Sequence, residues 1–169
     1  MRVATTDRTE IEHICLADAP FFFELVNSPT WLRFIGDRNI RDVKAAEDYL
    51  SKGLLKHYEE KGYSYYVVRI NDATAIGICG FLKKPHLEYE DFGFAYLPEY
   101  QGQGYGFEAG LAILEYGIRE FGFQTLDATT SLDNAASIGL LEKLGFIYQR
   151  LIDVPGYKDQ SRLFRWTHP

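Results

Sequence analysis

Three glycines at alternate positions, Gly102, Gly104 and Gly106, follow a strand-like run (Glu90 to Leu97) and open a helical one that reaches about Phe121. This segment constrains the chain more than any other. Glycine inside a helix costs about 1 kcal/mol relative to alanine, and a simple connector gains nothing from placing it there. What glycine does supply is a backbone that another molecule can approach closely. The first-turn N–H groups of a helix have no intrahelical partner, and they carry roughly half a positive charge from the helix dipole. An anion such as a pyrophosphate fits that site without any Lys or Arg. A flexible glycine-rich connector is the plainer alternative.

One phosphate-binding pattern can be tested against its context. Gly104-Tyr105-Gly106-Phe107-Glu108-Ala109 fits G-x-G-x-x-A, and Asp127 lies about 20 residues beyond, as a dinucleotide fold requires. In that fold a buried parallel strand runs directly into the first glycine. Here Pro98 to Gln103 intervene, and the preceding strands read as an antiparallel meander. A nucleotide-dependent oxidoreductase is therefore the weaker reading.

Along the rest of the chain, Glu10 to Leu16 reads as a first strand, with Asp18 at an N-cap position before a short helix over Phe21 to Val26. Trp31 to Ile35 is aromatic and partly apolar. A second helix is expected from about Arg41 to Glu60, with Val43, Ala46, Leu50 and Leu54 on one face and Gly62 as its stop. Strands follow at Tyr63 to Ile70, Ala75 to Lys83 and Glu90 to Leu97. In the last of these Phe92, Phe94 and Tyr96 share one face, and Asp91, Gly93, Ala95 and Leu97 the other. The small residues on that second face leave room for close approach to the backbone. After the glycine segment, Leu111, Leu114, Ile118 and Phe121 mark a buried stripe. Gln124 to Thr130 is a strand and Asn134 to Leu144 a helix with Gly145 at C′. Phe146 to Val154 and Ser161 to Trp166 close the fold. The order predicts an α/β (mixed α+β) chain built on one sheet, a single domain over residues 1–169.

Composition narrows the function. A net charge of −6 and a pI of about 5.2 argue against nucleic acid, which calls for a basic footprint. No run of 18 apolar residues is present, so no membrane span is expected. Cys15 and Cys79 sit far apart in apolar runs and read as buried inert thiols, which makes a reducing cytoplasm the default setting. The four histidines are scattered without metal-ligand spacing, so no metal is expected. No Gly-x-Ser-x-Gly elbow is present. Aromatic residues make up 15% of the chain, enough to supply a core and also to line a pocket.

Gln101-x-x-Gly104-x-Gly106 resembles the acyl-CoA pyrophosphate loop of the GNAT superfamily of N-acetyltransferases. The resemblance extends over most of the chain. Trp31 to Asp37, Ala75-Ile76-Gly77, Asp91-Phe92-Gly93-Phe94 and Leu97-Pro98-Glu99-Tyr100 are similar to the branch that includes ribosomal-protein alanine N-acetyltransferases. So are Asp133-Asn134-Ala135-Ala136-Ser137 and Leu141-Glu142-Lys143-Leu144-Gly145-Phe146. The resemblance implies the acyl-CoA N-acyltransferase fold, a central mixed sheet of about seven strands with helices on both faces. It implies acetyl-CoA in a V between the strands ending at Leu97 and beginning near Gln124. The pantetheine arm would meet backbone at Phe94, Ala95, Tyr96 and Leu97, and the pyrophosphate would sit on Gln101, Gly102, Gln103, Gly104, Tyr105 and Gly106. Asn134 and Ser137 would lie near the pantetheine or thioester. The branch often contains dimers, so a homodimer is among the states it allows.

The implied reaction is direct attack of a primary amine on the thioester in a ternary complex. The amine must be neutral, the oxyanion needs a donor, and a thiolate of pKa about 8.5 benefits from a proton. A backbone N–H near Phe94 to Tyr96 is the oxyanion donor expected. Asp91 and Glu90 are the candidate bases; alternation lets one of them face the V, and Asp91 shares its face with Gly93 and Ala95. A water relay without a dedicated base is equally compatible. Many family members carry Tyr where this chain has Leu141, so Ser137 is the substitute donor to the sulfur. A CoA-binding module that has lost catalysis is the alternative reading. Acceptor sites in the family are built by the first two helices and the last strands, where Trp31 and Phe34 are the candidate substrate-binding rings and Asp37 and Glu24 candidate cation partners. A peptide N-terminus, a polyamine, an aminoglycoside or another small amine remains open as the acceptor.

Overall fold

In the computed structural model, which describes residues 1–169, eight strands form one sheet. They are β1 (Arg2–Thr5), β2 (Thr9–His13), β3 (Tyr65–Ile70), β4 (Ala75–Leu82), β5 (Asp91–Tyr96), β6 (Thr125–Ser131), β7 (Ile147–Ile152) and β8 (Ser161–Thr167). Their order across the sheet is β1-β2-β3-β4-β5-β6-β8-β7. The strand not anticipated is β1. Its four residues carry little alternation of their own, and antiparallel pairing with β2, Ala4 opposite Ile11, holds them in place. β2 ends at His13, and Leu16–Asp18 forms a 3-10 turn instead of extending it.

Helices cover both faces, as expected. On one side lie α1 (Ala19–Val26), α2 (Pro29–Phe34) and α3 (Val43–Tyr49), whose Phe22, Leu25, Trp31 and Ala46 join Leu50, Ile78 and Leu97 in one core cluster. The Asp42 carboxylate caps α3 by accepting from the Ala45 N–H at 2.7 Å. A π-helical stretch, Leu50–Leu55, leads from α3 into α4 (Lys56–Lys61), so the helix expected over Arg41 to Glu60 contains one wide turn. Asp18 does not cap α1. Its Oδ2 accepts from the Cys15 N–H at 2.9 Å, and Oδ1 pairs with Arg69.

On the other face, α5 (Tyr105–Phe121) and α6 (Ala135–Lys143) pack against the second core cluster. The buried face of α5 is Ala109, Gly110, Ile113, Leu114 and Gly117; Leu111 is exposed. The stripe read from large apolar residues is therefore rotated, because glycines carry the contact. A Cβ on Gly110 would meet Leu144 at 2.9 Å, and one on Gly117 would meet Phe81 at 2.6 Å. α6 ends as expected. Gly145 has φ +93°, its N–H donates to Glu142 O at 3.0 Å, and the Phe146 N–H donates to Leu141 O at 3.0 Å, the two bonds of a Schellman cap.

The feature that makes the site lies between β5 and β6. Their parallel ladder has one Cα pair, Asp91 with Asp127, and beyond it the strands diverge.

Candidate active site

The divergence of β5 and β6 leaves part of the β5 edge unpaired. The Leu97 N–H donates to Ile76 O at 2.9 Å, so alternation turns Leu97, Ala95 and Gly93 toward β4 and the backbone groups of Phe94 and Tyr96 toward the gap. Gln101 reaches back to this edge, its side-chain amide donating to Tyr96 O at 2.8 Å. A cavity of about 500 Å³ opens here, lined among others by Phe94, Ala95, Tyr96, Gln101, Asn134 and Ser137, with Gly102, Gly104 and Gly106 at its end.

The three glycines do different work. Gly102 (φ +71°) and Gly104 (φ +85°) adopt left-handed backbone, which only glycine takes without strain. A Cβ on Gly102 would meet nothing within 4 Å, so its surface is open. Gly104 precedes the first residue of α5, and the first intrahelical bond runs from the Glu108 N–H to Gly104 O at 3.1 Å. The N–H groups of Tyr105, Gly106 and Phe107 are thus free to meet an anion. Gly106 serves packing instead: a Cβ there would meet Leu140 at 2.8 Å and Tyr96 at 3.3 Å. The open backbone, left-handed turn and free amides fit the pyrophosphate and pantetheine of an acyl-CoA.

Three of the expected cofactor residues turn their side chains elsewhere, which leaves their backbone to meet an acyl-CoA. Leu97 is buried among α1 and α3 residues. The Gln103 side chain turns to Glu99 O at 2.6 Å. Tyr105 lies beneath Arg8, whose guanidinium carbon is 4.4 Å from its ring centre. Arg8 was not expected at all. It comes from the β1–β2 turn, donates to Gln103 O at 3.0 Å and pairs with Glu108 at 2.7 Å. Its position depends on β1, which the sequence hardly marks.

A second cavity of about 260 Å³ continues from the first. Trp31, Phe34, Phe94, Ala95, Asn134 and Ser137 line both. The two expected substrate rings, Trp31 and Phe34, therefore stand at the junction. Asn134 caps α6, its Oδ1 accepting from the Ser137 N–H at 3.2 Å, and this fixes the first turn that carries the Ser137 hydroxyl. Leu141 is buried and lines the inner cavity.

Asp91 lies at the floor of the inner cavity, 2% exposed. Lys84 Nζ is 2.8 Å from its Oδ2, and the Tyr65 hydroxyl is 3.5 Å from the same oxygen; Oδ1 takes no bond. Burial raises the Asp91 pKa, opposed by the Lys84 charge. Burial lowers that of Lys84, but the Tyr65 hydroxyl and Asp91 more than offset this and hold it protonated. Glu90 points the other way, to Tyr63 at 3.2 Å and Lys83 at 3.6 Å. The room expected above Gly93 is filled from within the chain. Tyr65, Gly80 and Gly93 form one row across β3, β4 and β5, and a Cβ on Gly93 would meet the Tyr65 hydroxyl at 2.3 Å.

Other expectations change. Asp37 is held by Arg41 through both oxygens, which lowers its pKa to about 2; neither it nor the exposed Glu24 lines either of these two cavities. Asp127, the acid a dinucleotide ribose would need, is buried against Arg165 at 2.8 Å. Cys15 is exposed, and only Cys79 is buried. Lys84, Tyr65 and Arg38 were not anticipated in the inner cavity; only the strand register, which stacks Tyr65 on Gly93, could have pointed to one of them.

The profile of the acetyltransferase (GNAT) domain matches residues 8–147. This chain belongs to the GNAT acetyltransferase family. It is 27% identical over 146 residues to the uncharacterized N-acetyltransferase YoaA of Bacillus subtilis (strain 168), covering 85% of this chain and 82% of that protein. Its fold is shared with the ribosomal L7/L12 α-N-protein acetyltransferase RimL in complex with coenzyme A, at a TM-score of 0.85 and 15% identity, over 99% of this chain and 98% of that one. It is shared also with the spermidine N-acetyltransferase of Vibrio cholerae, at a TM-score of 0.77 and 15% identity, over 94% and 95% of the two chains. The family makes this GNAT chain an acetyl-CoA-dependent N-acetyltransferase. No helix is long and apolar enough to cross a membrane.

Proposed function

We propose that the chain transfers the acetyl group of acetyl-CoA directly to a primary amine, either a protein N-terminus or a small molecule, that enters by the inner cavity. The observation that carries this reading is the junction. The outer cavity holds the glycine loop, the inner one holds Asp91, and the two meet at Ala95, Asn134 and Ser137.

Bound acetyl-CoA supplies the thioester. The chain's own groups would do the rest. The amides of Tyr105, Gly106 and Phe107 receive the pyrophosphate. The β5 edge at Phe94 and Tyr96 pairs with the pantetheine and offers an N–H to the carbonyl oxygen. Asp91, with Oδ1 unpartnered, accepts a proton from the incoming amine. That first proton leaves a neutral amine; the N–C bond then forms as the C–S bond breaks, and the second proton, shed by the acylated nitrogen, ends on the departing sulfur, where the Ser137 hydroxyl stands as hydrogen-bond donor. Leu141, where many relatives carry a hydroxyl, has no proton to give.

Thermal shift and thiol release test this together. At 100 times its dissociation constant a ligand stabilises by about 2.7 kcal/mol, so acetyl-CoA should raise the Tm by roughly 5–10 °C and amines should then release free CoA thiol. Stabilisation by NADH and none by acetyl-CoA would refute the reading. Stabilisation by CoA without transfer to any amine would favour a binding module instead.

A further inference from the structure

The inner cavity has a charge pattern opposite to that of the chain. The whole chain carries 24 acidic and 18 basic residues. Only one of those acids, Asp91, lines the cavity, and it is paired with Lys84. Two cations line the same space, Lys84 and Arg38. Arg38 has no carboxylate partner, unlike its neighbours: Arg33 pairs with Asp133 at 3.3 Å and Arg41 with Asp37. Its guanidinium donates only to the Tyr157 hydroxyl, at 3.4 Å, and Tyr157 lines the cavity from the β7–β8 loop. Much of the remaining wall is apolar, with Phe22, Tyr49, Leu54, Ile78 and Leu82.

We propose that the acceptor is a small amine that also carries a carboxylate on an apolar body, an apolar amino acid by its chemistry, with Arg38 as the specificity-determining cation. This rests on the acetyltransferase reading and names the substrate class of that same cavity. The free guanidinium receives the carboxylate, a pairing for which its planar fork is suited. Lys84, paired with Asp91 at 2.8 Å, neutralises that carboxylate and holds it toward the amine. The apolar wall takes the side chain. A polyamine finds the reverse of what it needs: two cations in the lining and one carboxylate already neutralised, an arrangement that excludes by repulsion as well as selecting by attraction. The small volume also favours a compact molecule over an inserted loop of a folded protein.

The test compares leucine, methionine and phenylalanine with their amides, and with spermidine, by CoA thiol release. The free amino acids should exceed their amides in kcat/KM by about 10- to 100-fold, the range of a charge-assisted hydrogen bond, and spermidine should be slowest. Arg38→Gln should draw the acid-to-amide ratio toward one, and Arg38→Lys should restore part of it. Amides or spermidine used as well as the acids, or a ratio unchanged by Arg38→Gln, would overturn the proposal. If none of these amines turns over, thermal shift in the presence of CoA decides: no stabilisation by any of the three amino acids also overturns it. The acetyl-CoA shift of the same protein separates the two readings. Its persistence would leave the acetyltransferase assignment standing while the acceptor class falls; its loss would fail the assignment itself.

Discussion

At the residue scale the proposed chemistry rests on Ser137 and Asp91. Ser137 stands in the first turn of α6, at the junction of the two cavities, where a hydroxyl proposed to serve the departing sulfur affects turnover more than cofactor affinity. Hydrogen bonds to charged groups contribute about 1.5–3 kcal/mol, which makes Ser137→Ala about 10- to 100-fold slower in kcat with the KM for acetyl-CoA little changed. Steady-state kinetics check this; equal kcat in the variant would remove Ser137 from the mechanism. The two thiols give a simpler test of the packing. Cys79 is fully buried, and burial pushes its pKa well up, whereas Cys15 is exposed. Thiolate is the reactive form, so a disulfide reagent should count one thiol in the native protein and two after denaturation. The Cys15 exposure was not legible in an apolar-looking sequence run, because the β2 strand stops two residues before it.

At the scale of elements, the glycine loop separates function from packing. Gly104→Val places a branched side chain in left-handed backbone, 3.1 Å from Arg8, and should weaken acetyl-CoA binding by blocking the approach to the amides. Gly106→Val instead drives into Leu140 and Tyr96, and overpacking of this kind costs about 1–3 kcal/mol. Both variants should melt lower, because valine at Gly104 is also strained in left-handed backbone; calorimetry on folded Gly104→Val should show acetyl-CoA affinity reduced, and unchanged affinity would refute the loop assignment. The β1–β2 hairpin is tied to the same helix start by Glu108, which accepts from Thr6, from the Arg8 N–H at 2.8 Å and from Arg8 Nε at 2.7 Å. Burial opposes ionisation of Glu108, but these bonds outweigh it and lower the pKa from 4.5. A carboxylate depressed in the folded state contributes stability that is present above its unfolded value and is lost as pH falls through the folded one. The tether should loosen below about pH 4.5; a melt series in Glu108→Gln should lack that part of the acid dependence.

Across the whole molecule, the order of elements, helices on both faces, the glycine loop and the Gly145 cap were legible because each is written locally, in spacing or in a residue that backbone geometry demands. What was not legible is assembled from distant residues. Arg8 reaches the loop through a strand with almost no pattern. The buried face of α5 is made by Gly110 and Gly117, which hydrophobicity does not register. The cavity lining joins Arg38, Tyr65, Lys84 and Tyr157, which only the fold brings together, so an acidic chain turns out to have a net positive inner pocket. The proposed function requires direct transfer between two cavities that meet. Mass spectrometry of an amine and of the protein after incubation with acetyl-CoA tests this most directly. N-acetyl amine and free CoA should form in a one-to-one ratio, with no acetyl group on the protein at any time point. An acetylated protein that forms and decays ahead of the product, or CoA released without N-acetyl amine, would contradict it.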